Sequence, residues 1–230
     1  MAAKMIEMRS ALAYIVEVAR VSARSRNIHV ARNPVKASIR MPVLAHHIIY
    51  SAYGFWLPND PRGSGSTYVG SQHLYDEFGP ATKVDSQESV AHNPHDWRKR
   101  LAAKEELKFP PTVFTGVQAL QVGLAIGDLV REHDVKVVAC AVMKNHVHLV
   151  ALVHALKPAR IVGYCRAVAT PRLHLAGLWP ANRPVWGRGK WAIRLKSPRE
   201  VRSRIGYTNR NPTDAKLPPQ HWSFVTEFEM

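Results

Sequence analysis

Residues 135–153, VKVVACAVMKNHVHLVALV, hold two apolar, β-branched runs separated only by Lys144 and Asn145. Two strand-like runs joined by two polar residues read as a tight antiparallel hairpin. Whatever the rest of the chain does, it must build a sheet around that hairpin. A strand buried on both faces normally carries Val or Ile at every position. The second run instead places His146 and His148 one residue apart.

The remaining elements fall into order around it. LAHHIIYSAYG (44–54) is rich in β-branched and aromatic residues and reads as a first strand. Residues 55–112 are loaded with Pro, Gly, Asn and Asp, which predicts a loop-rich insertion with one short helix near 97–107. Thr115 is the expected N-cap of a helix whose apolar residues in GVQALQVGLAIGDLVREH recur at helical spacing. A second helix is expected from Pro158 and should end before Pro171, and KWAIRL (190–195) reads as a further strand. Strand, helix, strand, strand, helix, strand is the order of an α+β, ferredoxin-like split βαβ unit, an antiparallel sheet with its helices on one face.

One more helix is predicted over 197–212. Ser197 is the N-cap, Pro198 takes the first turn, Glu200 completes a capping box, and Pro212 should end it. Val201 and Ile205 give it a narrow apolar stripe, while Arg204, Tyr207 and Asn211 share a polar face.

At 230 residues the chain suits one large domain with an insertion. Hydrophobic residues make up 46%, enough for a core, and no apolar run is long enough for a bilayer, so no membrane partner is expected. Cys140 and Cys165, without CxxC spacing, read as reduced core residues of a cytoplasmic protein. The formal net charge is +15. Residues 181–216 contribute ten basic against two acidic groups, which points to a polyanionic partner. Residues 1–40, with eight basic and two acidic groups, read as a basic extension, flexible or upstream of a natural start at Met41. The folded domain is expected over 41–230.

On a strand, residues i and i+2 face the same way, so His146 and His148 project side by side, within reach of one divalent metal. Two core histidines bonded to backbone or water would fit as well. Other metal enzymes with a His-x-His pair fit poorly. Position 150 is Val where a metallo-β-lactamase-type site needs Asp, residues 151–157 lack the Glu of a cupin, and the chain is short for a barrel amidohydrolase. Tyr207 and Asn211 are neighbours on one helix face. If that face packs over the histidines, Asn211 offers a third ligand and Tyr207 stands beside the open metal positions. A phenol is a poor nucleophile unless activated, and a metal polarising a phosphodiester would offset that weakness.

In MKNHVHLVALV (143–153) and RIGYTNRNP (204–212) the chain resembles the HUH endonucleases, in particular the single-tyrosine transposases of the insertion-sequence-200-like and REP-associated group. Members place His-hydrophobic-His on a strand of a ferredoxin-like sheet and a tyrosine, then Asn-Pro four residues on, on a later helix. AYGFWLPNDPRGS, FGPATKVD and PPQHWSFVT are similar to signatures of a long-insertion branch, and the likeness spans about residues 41–226. The resemblance implies metal-dependent cleavage and rejoining of single-stranded DNA beside a hairpin. Tyr207 would be the nucleophile and form a 5′-phosphotyrosine. His146, His148 and Asn211 would be ligands to Mg2+ or Mn2+. The basic residues Arg188, Lys190, Arg194, Lys196, Arg202 and Arg204 are expected on the DNA backbone. Trp186 and Trp191 are either platforms for unpaired bases or anchors of the sheet edge.

Two other readings stay open. The chain is a domesticated hairpin-binding protein that no longer cleaves, or a zinc hydrolase, which leaves the basic block without a purpose. Either a monomer or a homodimer is compatible with these features.

Overall fold

Strand β1 (Ala45–Ala52) lies inside a four-stranded antiparallel sheet and pairs with a neighbour on each side. The computed structural model of the chain describes residues 42–61, 72–80, 82 and 93–229. The expected basic extension over 1–40 lies outside them. With β2 (Val137–Val142), β3 (His146–Leu152) and β4 (Trp186–Leu195) the strand order is β2-β3-β1-β4. The strand β3 therefore sits between β1 and β2, as the split βαβ arrangement requires. The backbone N–H of Met143 donates to the His146 carbonyl at 2.8 Å, closing the hairpin across Lys144 and Asn145.

The two crossovers are helices. From β1 to β2 runs an insertion with α1 (Gln72–Phe78) and α2 (Trp97–Glu105), then α3 (Gly116–His133). From β3 to β4 runs α4 (Pro158–Leu175). Helix α3 starts at a full capping box: Thr115 Oγ1 accepts from the Gln118 N–H, and Gln118 Oε1 accepts from the Thr115 N–H. Helices α3 and α4 bury Ile126, Leu129, Ile161, Cys165 and Leu173 against Ile48, Tyr50, Val147 and Leu149 of the sheet.

Both prolines expected to end helices lie inside them. Helix α4 continues through Pro171 to Leu175 because Leu173 carries on the stripe of Ile161, Cys165 and Ala169 into the core. The true stop is Gly177, at φ +66°: its N–H donates to the His174 carbonyl, and that of Leu178 to the Leu173 carbonyl. That is a Schellman closure, which needs a left-handed residue and no proline. Helix α5 (Pro198–Asp214) likewise runs past the buried Pro212 and closes at Lys216, φ +57°, with Leu217 N–H on the Pro212 carbonyl. Its N-terminus differs in one detail from the predicted box. Ser197 Oγ accepts from the Glu200 N–H, while the Glu200 carboxylate accepts from Lys196 N–H, one residue earlier than expected.

Three further differences have local causes. Helix α1 went unpredicted because seven residues are too few to show a period, and only Leu74 is buried. Strand β4 begins four residues before the expected Lys190, at Trp186, since Gly187 and Gly189 weaken the strand signal. A Cβ at Gly187 would stand 2.9 Å from the Ala52 carbonyl oxygen, and one at Gly189 would stand 2.7 Å from the Trp56 ring. Finally, α5 takes the face of the sheet opposite α3 and α4, so helices cover both faces. Val201 is fully buried there among Ala139, Val150, Ile193 and Leu195.

Beyond α5 the chain turns back along β2. Gln220 pairs through its side chain with both the N–H and the carbonyl of Val142, and Val225 bridges Val137. This tail covers the outer edge of the sheet, where unpaired strand groups would otherwise invite association. Among the described residues no helix is long and apolar enough to cross a membrane.

Candidate active site

Strand parity decides which groups meet. Ile48 and Tyr50 of β1 face α3 and α4, so His47, Ile49 and Ser51 face α5. In register, Ser51 lies opposite His146, Ile49 opposite His148, and His47 opposite Val150. The two predicted histidines therefore lie on the α5 face, and His47 sits diagonally beside them.

The three imidazoles form a chain. His146 Nε2 and His148 Nε2 are 2.9 Å apart, and His148 Nδ1 is 3.0 Å from His47 Nε2. At the far end His146 Nδ1 lies 2.9 Å from Asn145 Oδ1. An amide oxygen only accepts, so His146 Nδ1 carries the proton and its Nε2 keeps a lone pair. Phe55 stacks on His146 with centroids 4.7 Å apart, and holds that ring against rotation.

Burial keeps His148 and His47 neutral. His148 is 3% exposed, and burial together with the nearby Arg204 guanidinium lowers its pKa from 6.5 to about 3. His47, 1% exposed, is shifted down as well, first by burial and then by His148 and Arg204. Neutral imidazole is the form that binds metal.

Helix α5 brings Tyr207 to this row. Its ring meets His148 edge-on at 5.5 Å between centroids and His47 at 5.9 Å. The Arg204 guanidinium, one turn earlier on the helix, lies 5.7 Å from the Tyr207 ring centre. Tyr207 is 40% exposed and so open to solvent. Asn211 lies one turn further, and its Nδ2 donates to the Tyr207 carbonyl at 2.9 Å. The amide is thus turned back on its own helix, which leaves Oδ1 as the atom with ligand capacity.

The spacing of the pair bears on metal binding. Donors about 2.1 Å from an octahedral ion and at right angles stand about 3 Å apart, close to the 2.9 Å between the two Nε2 atoms. That spacing is compatible with adjacent positions on one octahedral divalent ion. Among the described residues no group of three or more His, Cys, Asp or Glu is arranged as a complete cage. A third protein ligand would have to be a different type of group, as an Asn oxygen is.

The basic block divides between the two sides of the sheet. Lys190 and Arg194 pair in register with Tyr50 and His46, so both belong to the α3–α4 side of the edge strand. Arg188, Lys196 and Arg202 are exposed, and Arg204 is half-buried beside Tyr207. Trp186 packs into the main core: its ring contacts Tyr50 and Phe114, and its Nε1–H donates to Thr170 Oγ1. These contacts are those of a sheet-edge anchor. Trp191, opposite Ile49, is half-buried on the histidine face.

Sequence reasoning missed His47. The signal was there in the adjacent His46 and His47 of β1: consecutive strand residues face opposite ways, so one of them had to share the face of the His pair. A separate groove of about 440 Å3, bounded by Phe114, Leu120, Pro219 and Trp222, lies along the β2 edge away from this row.

Two solved structures resemble the fold at a distance. One is a REP-associated tyrosine transposase bound to a REP hairpin: 11% identity, TM-score 0.39, covering 81% of this chain and 93% of that one. The other is a candidate transposase from Deinococcus radiodurans R1: 13% identity, TM-score 0.31, covering 78% and 94%. No family model and no curated protein matches the chain. Likenesses this remote assign no activity.

Proposed function

We propose that the protein is a transposase-like enzyme of the single-tyrosine HUH type. It would nick and rejoin single-stranded DNA beside a hairpin with Tyr207 as nucleophile. One observation carries the reading. Tyr207, 59 residues from His148 in sequence, has its ring edge-on to that imidazole, and His148 and His146 present their Nε2 atoms 2.9 Å apart. A structural role for two core histidines does not call for a half-exposed tyrosine beside them, with an arginine over its ring.

The residues divide the work. His146 and His148, and Asn211 through Oδ1, would hold Mg2+ or Mn2+. That ion would supply charge stabilisation on the non-bridging phosphate oxygens. Arg204 would draw the scissile phosphate towards the Tyr207 hydroxyl by charge-assisted contacts. Tyr207 Oη attacks phosphorus and its proton passes to solvent, which the exposed ring permits. The bond to the 3′ oxygen breaks, and that oxygen leaves as a 3′-OH after taking up a proton. The product is a 5′-phosphotyrosine. Attack by a second 3′-OH reverses the step, one phosphodiester replacing another, so no external energy source is needed. Arg202 would hold the flanking strand, with Trp191 as a stacking surface.

The test uses end-labelled single-stranded hairpins from the gene's own flanks, incubated with protein and either Mg2+ or Mn2+. Cleavage should require the ion and should fall by at least about 100-fold in His146→Ala and His148→Ala, as expected for loss of a metal ligand. Equal cleavage with excess chelator, or in either variant, would overturn the metal assignment. Tight hairpin binding with no product under any condition would favour the non-cleaving binder instead.

A further inference from the structure

We propose that His47 is a positioning residue for this site: its Nε2 grips His148 Nδ1 and so fixes which way His148 Nε2 points. The inference rests on the reading of His146 and His148 as metal ligands. A ligating imidazole has its other nitrogen held by a partner that fixes the ring and its tautomer. His146 has such a partner in Asn145 Oδ1. For His148 the described residues supply a single one, His47 Nε2 at 3.0 Å.

Three observations make this more than a contact between neighbours. His47 is 1% exposed at a position whose in-register partners, Val150 and Ile193, are apolar, so an aliphatic side chain would suit the packing. Its ring lies nearly parallel to His148, at 16° and 5.2 Å between centroids, with the hydrogen bond joining them edge to edge. And its other nitrogen, Nδ1, is buried without a hydrogen-bond partner. A buried imidazole with one unsatisfied nitrogen is costly to keep unless the satisfied one has a task. The same ring also lies 5.9 Å from Tyr207, edge to face.

The geometry has a tautomeric consequence. For His148 to offer the Nε2 lone pair to an ion, Nδ1 must carry the proton and donate it to His47 Nε2. His47 then carries its own proton on Nδ1. An apolar residue at 47 would leave the His148 Nδ1 proton buried and unpaired, favouring the Nε2–H form that cannot ligate.

The test compares full-length wild type with His47→Leu, which removes the bond, and His47→Gln, whose amide reaches the place of Nε2. Mn2+ binding is followed by the free-ion paramagnetic resonance signal, without DNA, alongside metal-free hairpin binding and thermal unfolding. His47→Leu should bind Mn2+ about 10–100-fold more weakly while holding the hairpin as wild type does, and His47→Gln should recover most of the loss. Wild-type Mn2+ affinity in His47→Leu, with binding lost in His146→Ala, would overturn the role of His47 and leave the metal site standing. Mn2+ affinity that survives His146→Ala and His148→Ala would overturn the site itself, and the proposal with it. Should the leucine variant not fold, the wild type decides. In the Mg2+-loaded protein with 15N-labelled histidine, His148 should show a protonated, slowly exchanging Nδ1. A rapidly exchanging or unprotonated Nδ1 overturns the proposal.

Discussion

At the residue scale the site is a row of imidazoles, His148 and His47 among them buried and neutral, built where a sheet would ordinarily hold aliphatic side chains. Their neutrality ties stability to pH. His148 has its pKa lowered to about 3 in the folded protein, against 6.5 for the free side chain, and His47 shifts the same way. Above 6.5 both states leave the ring neutral and nothing is lost. As pH falls from 6.5 towards 3 the unfolded chain takes up protons that the folded one refuses, so stability declines through that window. Thermal unfolding at pH 7.5, 6, 5 and 4 should show a falling midpoint, and His148→Phe should make the decline shallower. A flat profile in the wild type would contradict the buried, neutral assignment. His146 and His148 could be placed on one face from the sequence because strand parity is local. His47 could not be joined to them, because its position beside His148 depends on the β1–β3 register, a pairing across 101 residues.

At the element scale the legible parts were those with their own local chemistry. The expected N-caps Thr115 and Ser197 fixed helix starts to within a residue, because the bonds they make span only three residues. Helix ends were less legible. Pro171 and Pro212 read as stops, since proline lacks the N–H and crowds the preceding turn, yet burial of Leu173 and Pro212 keeps both helices going. The left-handed residues Gly177 and Lys216 end them. Replacing Pro171 by Ala should therefore stabilise the protein, by up to about 3 kcal/mol if the helix interior there is regular. Lys216→Gly should add about 1 kcal/mol by relieving a side chain in left-handed backbone. Both are measured by denaturant unfolding. A marked loss of stability in Pro171→Ala would mean that the proline shapes the helix for packing.

At the scale of the whole molecule, charge and topology have to be read together. The net charge of +15 and its cluster in 181–216 were plain in the sequence, and the strand order followed from the order of elements. Which side of the sheet each basic residue serves was not, because it depends on the β1–β4 register and its bulge between Tyr50 and Ala52. Lys190 and Arg194 belong to the α3–α4 side, Arg202 and Arg204 to the tyrosine helix. If the strand runs across the tyrosine face, Arg202→Ala should lower the slope of log affinity against log salt for a single-stranded ligand by about 0.7. Lys190→Ala should leave that slope nearly unchanged. Equal effects of the two substitutions would mean that DNA wraps the sheet edge and touches both sides.

The most direct measurement is the chemical identity of the protein–DNA bond. Full-length protein is incubated with a cleavable hairpin and Mn2+, digested with protease and nuclease, and analysed by peptide mass spectrometry. The account predicts a nucleotide 5′-phosphate on the peptide containing Tyr207, absent in Tyr207→Phe, which should still bind the hairpin. An adduct on any other residue, or free 5′-phosphate ends generated equally well by Tyr207→Phe, would contradict it.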